Sequence, residues 1–163
     1  MESYLRLSSE LNFYSSQHNH LSMKIMVCGS IGYGGVDDIK KFYSILEENG
    51  FEILNHIISK GMDYSDIKDF RHQKELSAKI VEHDLDFLNQ ADVIVVLADK
   101  ASYGTAIELF VAKQSGKKII LLAKNPIPTP WPIYYSDTIV TSEEDLITLL
   151  GQINSKVKSS ESL

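Results

Sequence analysis

Three short segments carry the residue types that could do chemistry. The first is Ser102-Tyr-Gly-Thr-Ala-Ile-Glu108-Leu. Its spacing puts Glu108 in the opening turns of a helix, where the macrodipole favours a carboxylate. As an ordinary helix-start residue Glu108 would be exposed and would only support the cap. Ser102 and Gly104 stand at the helix entrance, as a cap or as donors to a ligand. The second is Val81-Glu-His-Asp-Leu-Asp86. On a helix Asp84 and Asp86 point about 200° apart. Asp84 falls one turn before Leu88 and therefore faces inward, whereas Asp86 reads as solvated charge. Two carboxylates at one mouth can divide nucleophile and proton-transfer roles, as in retaining glycoside hydrolysis. Spacing alone does not bring them together. The third is Cys28-Gly-Ser-Ile-Gly-Tyr-Gly-Gly35. Glycines admit a close approach to the backbone, and a following helix offers free N–H groups to an anion. The turn matches neither G-x-G-x-x-G nor a P-loop, so it is either a holder of phosphate or sugar or a plain tight turn. His56, near the end of a weak strand, is a site residue or a polar strand end.

Positioning these residues requires a sheet. Lys24–Cys28, Ala91–Leu97 and Lys118–Leu122 are nearly continuous apolar runs, as expected for parallel strands covered on both faces. Phe51–Leu54 and Asp137–Val140 are weaker strands. Helices are predicted over Val36–Asn49 (Ile39, Phe42, Tyr43, Leu46), over Gln73–Gln90 (Leu76, Ile80, Leu85, Leu88) and over Gly104–Gln114. A last helix, capped by Ser142, is predicted to run through Gln152. Gly50 is a helix stop. Residues 57–70 read as loop, and Asn125–Ser136, with all four prolines, as an irregular loop. The alternation predicts an open, mostly parallel five-stranded α/β sheet with helices on both faces, Rossmann- or flavodoxin-like. Ligands in such sheets sit beyond the carboxyl ends of the strands, at the switch point. That rule selects the turn after Cys28 and the loops after Leu54 and Leu97.

The chain has 163 residues and a formal net charge of −6, with Cys28 as its single cysteine. One domain over 23–153 is expected, with a poorly ordered arm at 1–22 and a frayed tail at 154–163. His18 and His20 in the arm have metal-like spacing but read as solvated polar residues. The acidic balance and the scarcity of arginine (Arg6 and Arg71) argue against nucleic acid. No apolar run approaches a membrane span. The absence of a signal-like start and of a disulfide framework predicts a cytoplasmic setting.

Taken together, Val27-Cys-Gly-Ser-Ile31, Glu82-His-Asp-Leu-Asp-Phe-Leu-Asn-Gln-Ala-Asp92, Ser102-Tyr-Gly-Thr-Ala-Ile-Glu108 and Gly116-Lys-Lys-Ile119 resemble the nucleoside 2-deoxyribosyltransferase superfamily. Within it they are most similar to the 2′-deoxynucleoside 5′-phosphate N-hydrolases. The resemblance implies that Glu108 is the nucleophile at C1′ and that Asp84 assists the leaving base. It implies that Gly29, Ser30, Ile31 and Gly32 hold sugar and phosphate, with Gly104 and a site-lining His56. Ser102 matches a phosphate-binding serine, where the transferases carry an aspartate that would repel an anion. It further implies a small-molecule nucleotide or nucleoside as partner, no metal or organic cofactor, and a homodimer or higher homo-oligomer, for which Trp131, Tyr134 and Tyr135 are the interface candidates. Two positions depart from the pattern. Met26 stands where a tyrosine hydroxyl orients the nucleophile, leaving Tyr33 or Tyr103 to replace it. Gly32 stands where the hydrolases carry arginine, leaving Lys100 as the nearest cation. The expected activity is hydrolysis of the N-glycosidic bond of (2′-deoxy)nucleoside 5′-monophosphates through a glycosyl-enzyme. The alternatives are base exchange, a cytokinin-type nucleotide ribohydrolase and a catalytically silent nucleotide-binding module.

Overall fold

The computed structural model describes residues 22–160. The arm at 1–21, with His18 and His20, and the last residues, 161–163, lie outside the described residues. Five strands form one parallel sheet in the order β2-β1-β3-β4-β5: β1 (Lys24–Cys28), β2 (Glu52–Ile53), β3 (Val93–Leu97), β4 (Lys118–Leu122) and β5 (Thr138–Val140). Among the described residues the α-helices are α1 (Val36–Glu48), α2 (Lys74–Gln90), α3 (Tyr103–Gln114), α4 (Trp131–Tyr135) and α5 (Glu143–Ser160), and a single π-helical turn spans Ile31–Gly35. The strand order reverses between β1 and β3, which are paired in register from Ile25↔Val93 to Cys28↔Val96. The two central strands therefore end side by side at the switch point.

The period of two along each strand divides the core. Ile25, Val27, Val93, Val95, Ile120 and Leu122 pack with Ile39, Phe42, Tyr43 and Leu46 of α1 and with Leu146 and Leu150 of α5. Met26, Cys28, Ile94, Val96, Ile119 and Leu121 face the other way, onto Leu88 of α2 and Leu109 and Ala112 of α3. Both faces are covered, so the central strands can be apolar throughout. Gly50 closes α1 with φ +79°, the left-handed value that favours glycine. Ser142 Oγ accepts the Asp145 N–H at 3.1 Å and caps α5 as expected.

Three expectations change. The tail is helical: α5 continues to Ser160, because Ile153 and Val157 extend its half-buried stripe. The proline loop contains α4, whose Pro132 falls in the first turn, where a missing N–H costs nothing. The second strand pairs only over Glu52–Ile53. Beyond it the Tyr43 hydroxyl takes over the ladder, accepting the Val27 N–H at 3.1 Å and donating to Leu54 O at 2.8 Å.

Candidate active site

On α2, Ile80, Asp84 and Leu88 share one buried face at successive i, i+4 positions, with Leu76 and Leu85 half-buried beside them. Asp84 thus takes a core position in an otherwise apolar stripe. Only 8% of it is exposed, and its Oδ1 has no hydrogen-bond partner among the described residues. Asp86 is exposed. Glu108 is not the exposed helix-start residue that its position suggests. It lies in the second turn of α3, 9% exposed, with its side chain against the end of β1. The α2–α3 side of the sheet therefore presents both carboxylates to one cavity, about 90 Å3 in volume, at the carboxyl end of β1.

Burial pushes the Glu108 carboxyl up to about 7. The Asp84 charge adds to that shift, and a hydrogen bond from the Cys28 thiol opposes it. Burial likewise raises Asp84 to about 6, against the pull of neighbouring His83. Burial, followed by the Glu108 charge, holds the Cys28 thiol well above the usual thiol range, so it remains an S–H donor. Two carboxyl groups in a poorly solvated cavity cannot easily both ionise. Near neutral pH the pair shares one proton: Glu108, the higher of the two, holds it in the resting form, and the form with the proton on Asp84 and the charge on Glu108 is the one poised as proton donor and nucleophile.

The same cavity is lined by Gly29, Ile31, Ser102, Gly104, Tyr64 and Thr105. Ser102 is the N-cap residue of α3, yet its side chain makes no cap hydrogen bond. Its hydroxyl is therefore not committed to the helix. The glycine turn divides. Gly29 and Ile31 face the carboxylates, whereas the buried Ser30 lines a neighbouring cavity of about 250 Å3 with Lys41, Lys100 and Lys124. A Cβ on Gly35 would come within 2.3 Å of Ser30 O, so only glycine lets the turn fold back this tightly. Gly32 is exposed, facing the Tyr64 ring.

Comparison with known proteins gives the family and the fold. The family model for nucleoside 2-deoxyribosyltransferase matches residues 25–150. The chain belongs to that family. Among relatives, a 5-hydroxymethyl-dUMP N-hydrolase from Danio rerio is 28% identical over 100 residues, spanning 61% of this chain and 68% of its own. The fold is shared with a 2-deoxyribosyltransferase from Bacillus psychrosaccharolyticus, at TM-score 0.59 and 17% identity over 76% of this chain and 90% of that one. It is also shared with a conserved protein from Enterococcus faecalis, at TM-score 0.58 and 16% identity over 80% and 98%. Membership makes the chain an enzyme of N-glycosidase-like type.

Within the deoxyribosyltransferase family frame, several sequence expectations fall elsewhere in the molecule. His56 does not line the carboxylate cavity. It is buried, with Nδ1 2.8 Å from the Tyr43 hydroxyl and its carbonyl accepting from His83 Nε2 at 2.8 Å. Since the Tyr43 proton goes to Leu54 O, His56 Nδ1 is the donor of that pair. Burial, then the His83 charge, lowers it to about 4, so it is a neutral fastener of the β2 end. Lys100 turns to Gly34 O and Asp38 and lines the other cavity. Met26 is fully buried, and Tyr33 and Tyr103 are largely exposed. The groups that the structure sets beside Glu108 are the Cys28 thiol and, across the cavity, Tyr64, whose hydroxyl is pushed up to about 12 by burial and then by the two carboxylates. Sequence reasoning missed Tyr64 because residues 57–70 have no period. It also missed Thr105, for which the signal was its place three residues before Glu108 on the same helix. Among the described residues no helix is long and apolar enough to cross a membrane.

Proposed function

We propose that the chain hydrolyses the N-glycosidic bond of nucleoside 5′-monophosphates, releasing free base and sugar 5-phosphate. The observation that carries this reading is the buried Glu108–Asp84 pair in one cavity that Ser102, whose side chain makes no cap bond, also lines. Glu108, as carboxylate, attacks C1′ from the face opposite the base. The C1′–N bond breaks with its electron pair going to the base, and the Asp84 carboxyl gives its proton to the departing nitrogen. Asp84, now a carboxylate, takes a proton from water, which attacks C1′ and frees Glu108. The Ser102 hydroxyl and the backbone of Gly29–Ile31 bind the 5′-phosphate, at the entrance of α3 where N–H groups favour an anion. The zebrafish relative, itself a nucleotide N-hydrolase by name, supports hydrolysis over base exchange.

The test is incubation with ribo- and deoxynucleoside monophosphates, with and without an added acceptor base, followed by chromatography. Free base appearing without acceptor is the expected result. A new nucleotide formed only with acceptor assigns base exchange instead. Binding of a mononucleotide with no base released leaves a silent binding module and overturns the reading.

A further inference from the structure

Thr105 occupies the third position of α3, one helical turn before Glu108. Side chains three apart on a helix are neighbours, and both line the same cavity. Threonine in a helix usually returns its hydroxyl to a carbonyl three or four residues back. Here Ser102 O takes the Ala106 N–H at 3.2 Å. Thr105 Oγ1 has no hydrogen-bond partner among the described residues, although only 7% of the residue is exposed. A buried hydroxyl without a partner is costly and rare. In a cavity it points to a ligand atom that completes it.

Stereochemistry says which atom. In a β-nucleoside the base and the 5′ carbon project from one face of the furanose, and the 2′- and 3′-hydroxyls from the other. A nucleophile that displaces the base enters on the hydroxyl face. The face turned toward the Glu108 carboxylate is therefore the one that carries these hydroxyls. C2′ is bonded to the reacting C1′, so its hydroxyl is the nearest polar group to a side chain beside the nucleophile.

We infer that Thr105 reads the sugar and sets this chain apart from its deoxynucleotide-named relative: its hydroxyl pairs with the 2′-hydroxyl, and the site prefers ribonucleoside over 2′-deoxyribonucleoside 5′-monophosphates. This rests on the nucleotide N-glycosidase reading above. A 2′-deoxy substrate leaves Oγ1 buried and unpaired, and a site built to pair a hydroxyl discriminates against the analogue that lacks it.

The experiment measures kcat/KM for the pairs CMP/dCMP and GMP/dGMP with the wild type, Thr105→Val and Thr105→Ser. Thermal melts confirm that each variant is folded. The expected ribo-to-deoxy ratio is on the order of 10–100 in the wild type. Valine, nearly isosteric, lowers that ratio about tenfold or more through loss on the ribo substrates, and serine restores it. A deoxy preference in the wild type, a ratio that Thr105→Val leaves unchanged, or equal losses on both sugars, which would assign Oγ1 to the shared 3′-hydroxyl, overturns the inference while leaving the hydrolase reading intact. If no nucleotide releases base, the hydrolase reading fails and the same ratio is read from calorimetric Kd values. A ribo preference that valine abolishes sustains the sugar contact; an absence of binding, or binding that ignores the sugar, ends it.

Discussion

Glu108→Gln should make the protein more stable while abolishing its turnover. A carboxyl whose folded-state value is raised opposes folding at every pH where the unfolded chain would ionise it. The cost begins near the ordinary value of 4.5 and is complete above about 7. At about 1.4 kcal/mol for each pH unit, the difference amounts to roughly 3 kcal/mol. Glutamine has nearly the same shape, can still accept from the Cys28 thiol and carries no charge. The gain should therefore be under about 1 kcal/mol at pH 5 and climb to about 3 kcal/mol at pH 8. For a chain of this length that corresponds to roughly 6–12 °C in Tm at the higher pH. Urea unfolding across pH 5–8 measures it, with an unchanged m-value securing the comparison. A variant no more stable than wild type at pH 8, or a gain that ignores pH, would refute the burial argument. More than a few per cent of residual base release would remove Glu108 from the nucleophile role.

The pH profile of kcat/KM should be bell-shaped, with limbs at about 6 and about 7 that belong to the Asp84–Glu108 pair. Asp84→Asn should cut turnover about a hundredfold or more and, by removing a negative charge, move the Glu108 limb below 7; a limb that stays in place contradicts the coupling. Because the Ser102 side chain makes no cap bond, Ser102→Ala should leave stability within about 0.5 kcal/mol. The same variant should cost nucleotides about tenfold in kcat/KM, the scale of one hydrogen bond to a charged group, and spare free nucleosides; equal losses on both would undo the phosphate assignment. Tyr134 and Trp131 of α4 are 77% and 66% exposed, and Phe110 stacks edge-on against Tyr135, an aromatic face of the kind found at interfaces. Sedimentation at micromolar concentration should show a homodimer, and a strictly monomeric, fully active species would discard that proposal.

How much of this was legible depended on range. β1, β3 and β4 announce themselves as apolar runs, and α1 by its four-residue stripe, because parallel strands and amphipathic helices impose those periods locally. Asp84 could be aimed inward from Leu88 alone. Glu108 could not, since its burial depends on how α3 leans over the end of β1, some eighty residues earlier in the chain. His56 and Tyr64 lie outside any period. The Tyr43 hydroxyl and His83 hold the buried His56, whereas Tyr64 lines the cavity. The helical tail was hidden by its Ser/Lys composition, in which Ile153 and Val157 are the only apolar continuation.

The strand order also governs how the enzyme is made. Ribosomes deliver roughly 5–20 residues per second. The Gly29–Ile31 turn therefore emerges several seconds before Glu108, and β1 waits for β3 with only the two-residue β2 at its side. Until Val93–Leu97 arrives, Ile25–Cys28 is an apolar ribbon with one edge unpaired, the kind of segment that recruits other chains. Chaperone demand and aggregation during expression should accordingly peak for nascent chains that stop short of β3. Lowering the translation rate should lengthen that exposure, and so reduce rather than improve the soluble yield.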